Sequence, residues 1–264
     1  VMRNATRATI LFAILGGLLV GFIVLPLLRT LTATSLRGLI LALQDPQLQR
    51  SLAVTFGGAA LATTIGLLTA VPLAYLLARR RFRGRGLVEA VVMLPVIVPH
   101  TAAGVALLLV FGRYGLMGQA FARVGVSFTD TVAGIVLAML FVSAPFLVSA
   151  SREAFALVDT EIERVALSDG ASPLQAFWHV TFPLARRGIL AGALMMWARG
   201  ISEFGAVVIL AYHPKVMTVL VYERLQGFGL QAALPATAVL IGVALIAIGV
   251  LRGVLGVQRE STTG

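Results

Sequence analysis

The sequence contains no cysteine and a single lysine, and only 12% of its 264 residues are charged. Without cysteine there is no disulfide scaffold, no thiolate metal site and no thiol redox chemistry. The one lysine, Lys215, lies between Pro214 and Val216, so no glycine-rich turn ends in Lys-Ser or Lys-Thr and the chain holds no P-loop of its own. A His-Glu-x-x-His run is also missing. His100, His179 and His213 stand far apart, each reads as a solitary polar residue, and no metal or catalytic site is expected. The shortage of charge excludes most. A soluble domain carries about 25% charged residues, whereas 59% hydrophobic residues and a mean hydropathy of +0.97 leave too little polar surface to cover a water-soluble fold.

What the chain has instead is long apolar runs. A helix crosses a bilayer core with about 20 apolar residues, each rising about 1.5 Å. Six segments qualify: 8–28, 52–78, 87–111, 132–150, 188–211 and 234–251. The first is longer than the roughly 7–15 residues of a signal-peptide core, and no small-residue cleavage pattern follows it, so it reads as a retained span. The expected fold is all-α: one polytopic transmembrane domain over residues 1–264 with six transmembrane helices.

The formal charge of +10 raises the question of nucleic acid, and the placement of the arginines answers it. With six spans, the termini and the second and fourth loops share one side. They hold 13 basic residues, among them Arg3, Arg7, Arg152, Arg186, Arg187, Arg252 and Arg259, against 7 on the other side. The positive-inside rule then puts both termini in the cytoplasm. The densest cluster, Arg79, Arg80, Arg81, Arg83 and Arg85, is wedged between two spans, where a nucleic-acid docking element has no room.

The fourth loop, 151–187, is the longest cytoplasmic segment. Five of the chain's eleven acids lie in it: Glu153, Asp159, Glu161, Glu163 and Asp169. Phe155, Val158, Ile162, Val165 and Ala166 recur at helical spacing. Gly170 interrupts, and Ser172-Pro173 restarts a short helix, with serine as N-cap, proline at the first helical position and Pro183 as its far limit. Phe177 and Trp178 on that helix read either as a plug for a partner's groove or as aromatics at the membrane interface.

From Glu163 to Pro173, followed by Val180-Thr181-Phe182-Pro183, the sequence resembles the coupling loop of binding-protein-dependent ABC importer permeases. That family pattern is Glu-Ala-Ala, three residues, Gly, nine residues, Ile, one residue, Leu-Pro. Ala166, Gly170 and Pro183 fit it without a gap. Val180 and Phe182 keep their positions apolar, while Arg164 stands where the glutamate is expected, with Glu163 one place earlier, and Val165 replaces the first alanine. Arg81-Phe82-Arg83-Gly84-Arg85 with Leu94-Pro95, Pro99 and Gly104, and the stretch from Ala198 to Ala206, resemble the molybdate, tungstate and sulfate branch. Tyr212-His213-Pro214 and the run from Leu220 to Arg224 lean toward molybdate/tungstate.

The resemblance implies the permease half of an ATP-driven oxyanion importer. Its partners would be a second copy of the chain, the lipid bilayer, a dimer of separate ATPase subunits that bind MgATP, and an extracytoplasmic oxyanion-binding protein. No cofactor is expected in this chain. The implied coupling residues are Glu163, Arg164, Ala166, Gly170, Ala171, Ser172, Pro173, Phe177, Trp178 and Pro183. A sulfate or thiosulfate permease and an ion-coupled secondary carrier are the alternatives; no internal repeat supports the carrier.

Arg199 and Glu203 are the charges well inside an expected span, four residues apart on one face. Each costs at least about 2.5–3.5 kcal/mol at the bilayer centre, so both should face protein or a water-filled cavity. They read as a mutually neutralising structural pair or as a gate, in which Arg199 offers planar donors to an oxyanion and Glu203 restrains it. With the signature around them, the pathway set is Arg199, Ser202, Glu203, Phe204 and Gly205.

Overall fold

The computed structural model describes the backbone of residues 2–256 and the side chains of 9–247 and 249. The side chains of Arg3, Arg7, Arg252 and Arg259, used above for orientation, lie outside the described residues. Every regular element among those described is helical. The chain runs through α1 (Met2–Ala33), α2 (Leu36–Gln44), α3 (Pro46–Arg79), α4 (Arg85–Ile97), α5 (His100–Phe111), α6 (Leu116–Ala122) and α7 (Val132–Ala156). It continues through α8 (Thr160–Ser168), α9 (Pro173–Ala176), a π-helical turn (Phe177–Thr181), α10 (Phe182–Ile201), α11 (Gly205–Leu210), α12 (Met217–Phe228) and α13 (Leu230–Gly256).

Four of the expected spans are unbroken helices, in α1, α3, α7 and α13. Two are not. The segment expected at 87–111 is split into α4 and α5, which meet at a 114° bend. Pro99 causes the break: its ring excludes the helical region for the residue before it, and Val98 is extended at φ −67°, ψ 130°. The segment expected at 188–211 is interrupted at 202–204, between α10 and α11. Pro72, Pro95 and Pro145 sit inside helices without stopping them.

Contacts divide the chain into two units, residues 50–219 and residues 1–49 with 220–264. In the first, α7 is the central helix, burying Ile135, Met139, Val142, Leu147 and Phe155 among others. Its main partner is α10, and small residues let the two backbones meet. A Cβ on Gly188 would stand 2.4 Å from that of Ala154, and one on Gly192 2.8 Å from that of Ala150. This is close packing by small residues at four-residue spacing, which suits a lipid environment where burial alone drives no association.

In the second unit, α2 packs on α13, and Ser35 caps α2 by accepting from the Gly38 N–H at 3.0 Å. Asp45, at the end of α2, pairs with Arg224. Its carboxyl lies below the ordinary value of 3.8. Burial pushes the other way but is outweighed by the Gln47 N–H and the Arg224 guanidinium. From Thr9 to Arg29 the side chains of α1 are exposed, and nothing lies within 4 Å of a Cβ placed on Gly16, Gly17 or Gly21.

Candidate functional site

Two places bring the candidate residues together. The first is the loop after α7. It is shorter than the sequence suggested, because α7 runs on to Ala156 and α10 begins at Phe182. The single helix expected through Phe155 to Ala166 is two: Asp159 stops the run and caps α8 by accepting from the Glu161 N–H at 2.9 Å. At the other end of α8, Gly170 adopts φ +92°. Its N–H donates to the Leu167 carbonyl at 3.1 Å and the Ala171 N–H to the Ala166 carbonyl at 3.0 Å. These are the two bonds of a Schellman cap, so Ala166, Gly170 and Ala171 make one turn that needs a left-handed residue at its centre.

Ser172 then caps α9 in a reciprocal box. Its hydroxyl accepts from the Gln175 N–H, and the Gln175 side chain accepts from the Ser172 N–H at 2.8 Å. Pro173 occupies the first turn. Pro183 does not end this helix. It lies in the first turn of α10, directly after the π-helical turn, and the chain stays helical from α9 to Ile201. The wide turn, in which the Phe182 N–H donates to the Phe177 carbonyl, gives the proline ring room that a normal helical turn denies it.

The two aromatics part company. Phe177 stacks edge-on to Tyr75 with centroids 4.9 Å apart and lies 6.0 Å from Phe155, so it belongs to the core. Trp178 touches the Phe177 and Phe182 rings, with centroids 5.1 Å away in each case, but is half exposed, and Leu174 is exposed. Glu163 turns inward: Arg79 Nε donates to it at 3.0 Å, and the Thr181 hydroxyl donates to the same oxygen. Arg164 faces solvent and pairs with Glu161.

The second place lies where the two broken helices meet. Arg199 Nη2 donates to Glu203 Oε2 at 2.9 Å and lies 2.7 Å from His100 Nδ1. His100 Nδ1 stands 3.1 Å from Glu203 Oε2. The Glu203 side chain is fully buried, and its other oxygen accepts from the Ala206 N–H at 2.8 Å, at the start of α11. Arg199 Nη1 donates to the Ser202 hydroxyl at 3.2 Å, and that hydroxyl donates to the Arg199 carbonyl at 2.9 Å. Gly205 lets α11 approach α5: a Cβ there would meet the His100 Cβ at 2.8 Å and the Thr101 nitrogen at 3.0 Å. Phe204 precedes it as the N-terminal residue flanking α11.

His100 is therefore not solitary. Sequence reasoning missed it because its partners are about a hundred residues away, and the only local signal was its position directly after Pro99. Arg79 and Thr181 were missed as partners of Glu163 for the same reason. No group of three His, Asp or Glu side chains among the described residues forms a metal site.

The profile of the family "Binding-protein-dependent transport system inner membrane component" matches residues 62–257, which include both places. The chain belongs to this family.

As a binding-protein-dependent permease, it is 40% identical to the molybdate/tungstate transport system permease protein WtpB of Pyrococcus abyssi, over 95% of this chain and 96% of that protein. A probable sulfate transport system permease of Zygnema circumcarinatum is 31% identical, over 84% and 78%. In fold, the permease matches a chain of a bacterial alginate ABC transporter solved in complex with its alginate-bound periplasmic protein. The TM-score is 0.76 at 19% identity, covering 100% of this chain and 99% of that one. It is thus a multi-pass membrane protein with an ABC importer permease fold.

Proposed function

We propose that this permease carries a tetrahedral oxyanion, molybdate or tungstate, into the cell as the membrane half of an ATP-driven importer. The observation that carries the substrate is the near full-length likeness to the Pyrococcus molybdate/tungstate permease, which exceeds that to the sulfate permease. Two copies form the path, an extracytoplasmic binding protein delivers the anion, and two separate ATPase subunits with MgATP grip the loop 157–181. Both termini and that loop are cytoplasmic, in keeping with the arginine distribution. The chain crosses six times, with α4–α5 and α10–α11 each serving as one broken span.

The exposed faces of Leu174 and Trp178, set out by the caps at Gly170 and Ser172, are the docking surface. ATP binding draws the ATPases together, the loops follow, and the helices rock to open the cavity outward; hydrolysis resets them. Arg199, Ser202, Glu203, Phe204 and Gly205, with His100, close the anion path: Glu203 holds the guanidinium until the helices separate.

The test is reconstitution of the permease with its ATPase and binding protein. Molybdate or tungstate should stimulate ATP hydrolysis and be taken up, and sulfate should not. Equal stimulation by sulfate favours the sulfate reading, and uptake without an ATPase favours an ion-coupled carrier. For the gate, Glu203→Gln should raise hydrolysis in the absence of substrate; normal transport without such hydrolysis leaves only a structural pair.

A further inference from the structure

We infer that Arg79, Glu163 and Thr181 form a rigid joint that makes the loop 157–181 move as one body with the cytoplasmic end of α3. This rests on the reading of the loop as the ATPase-coupling element. In the family pattern the acidic position at the start of the motif lies on the loop itself. Here the carboxylate that stands one place earlier is turned away from the loop's outer surface and spent on an internal contact.

One oxygen of Glu163 accepts from Arg79 Nε at 3.0 Å and from the Thr181 hydroxyl. The Arg79 Nη2 group donates at 2.9 Å to the carbonyl of Val158, in the break between α7 and α8. The ion pair and these two hydrogen bonds thus tie together the last turn of α3, the α7–α8 break, α8 and the π-helical turn that leads into α10. The pair is sheltered, with side chains 8% and 15% exposed, whereas the Arg164–Glu161 pair on the same helix is 69% and 65% exposed.

The joint matters because α8 has little else to hold it. None of its residues is buried. Ile162, on the side facing α7 and α10, opens into a cleft of about 690 Å³ shared with Leu157, Val158, Leu184 and Arg187. A helix that buries nothing and borders an open cleft would swing when pushed at α9, and none of the displacement would pass through it to α3. A push on α9 reaches α10 directly through continuous helix; with Glu163 fastened to Arg79, it is delivered to α3 as well. Beneath the ion pair, Tyr75 of α3 packs edge-on to both Phe155 and Phe177, so the same segments are joined by a stack of rings. Arg79 and Glu163 are positioning residues; neither touches the transported anion.

The experiment uses the complete transporter, reconstituted with its ATPase and binding protein, and reads molybdate taken up per ATP hydrolysed. Arg79→Gln and Glu163→Gln should each lower that ratio by about three- to thirtyfold. ATPase subunits should still co-purify with the Arg79→Gln permease. The double variant should be no worse than either single, since both remove the same contact. Unchanged ratios in the single variants, or additive losses in the double, overturn the joint.

Loss of ATPase from the Arg79→Gln complex also overturns it, because the residue would then support docking and not transmission. Because the chain has no cysteine, Arg79→Cys/Glu163→Cys offers a second route that does not depend on the charge variants folding. A short bis-maleimide crosslinker, which adds one cysteine thiolate across each ring's double bond, should raise its uptake per ATP above that of the uncrosslinked form. A crosslinked transporter that hydrolyses ATP without uptake shows that the contact has to open, and the rigid joint fails. If the wild-type permease binds no ATPase, it is the coupling reading that fails, an outcome distinct from all of these.

Discussion

The loop site and the intramembrane site are built on the same chemical unit, a glutamate held by an arginine and a hydrogen-bond donor, yet their surroundings are opposite. Glu203 has a fully buried side chain, and the Ala206 N–H, Arg199 and His100 surround it where α5 and α11 touch backbone to backbone. Glu163 belongs to a helix that buries no residue of its own, beside an open cleft. In the first case the ion pair is one of many constraints. In the second it is the main polar attachment of a lightly packed element. The same pair therefore adds rigidity to a packed junction, whereas it converts a loose helix into a lever.

Variants of the two glutamates test that contrast with the largest expected effect. Glu203→Ala leaves Arg199 without its carboxylate and should cost about 3–5 kcal/mol, the range for breaking a buried pair. Glu163→Ala should cost less, and thermal unfolding of the detergent-solubilised permease should rank them in that order. Equal losses would remove the distinction. The glycines come next. Gly205→Val forces a side chain against His100 and Thr101 and should destabilise by about 1–3 kcal/mol.

Gly170→Val has open space around it but needs φ +92°, so it should cost about 1–2 kcal/mol. Its effect should be confined to faster hydrogen exchange over 160–172. Exchange that rises across α10 as well would mean that the loop is not a separate lever. The adjacent aromatics sharpen the comparison within the loop itself. Trp178→Ala, which loses ring contacts to Phe177 and Phe182 at a half-exposed position, should cost about 1 kcal/mol while weakening ATPase association. Phe177→Ala should lower thermal stability by removing ring contacts to Tyr75 and Phe155.

The smallest effect is expected outside both sites, at Asp45. Its folded value lies below 3.8, so the contribution of its pair with Arg224 is complete above the unfolded value and is lost as pH falls through the folded one. The pair is partly exposed and should be worth less than about 1 kcal/mol, visible as a small drop in thermal stability below about pH 4 that Asp45→Asn abolishes.

Much of the loop was legible because its signals are local. Gly170 needs a left-handed turn, Ser172-Pro173 starts a helix, and both follow from residues within three or four positions of one another. Pro183 was misread because a π-helical turn one residue before it relieves the clash that normally ends a helix, and nothing in periodicity announces a wide turn. The i,i+4 pairing of Arg199 with Glu203 was visible, but the third member was not, since His100 arrives from a different helix.

Low charge and long apolar runs by themselves determined that this is an all-helical membrane protein, because a continuous run of about 20 apolar residues satisfies its backbone in lipid as a helix, whereas barrel strands are about half as long and alternate. Arginine placement gave it an expected orientation, and capping residues set the turns of the loop. Only the tertiary structure decided that the two helix breaks meet at Glu203 and that Glu163 faces Arg79 and not the outside. The physical reason is range: helix formation and capping act over one or two turns, whereas the choice of a carboxylate's partner is made between residues as far apart as 79 and 163, after the helices have packed.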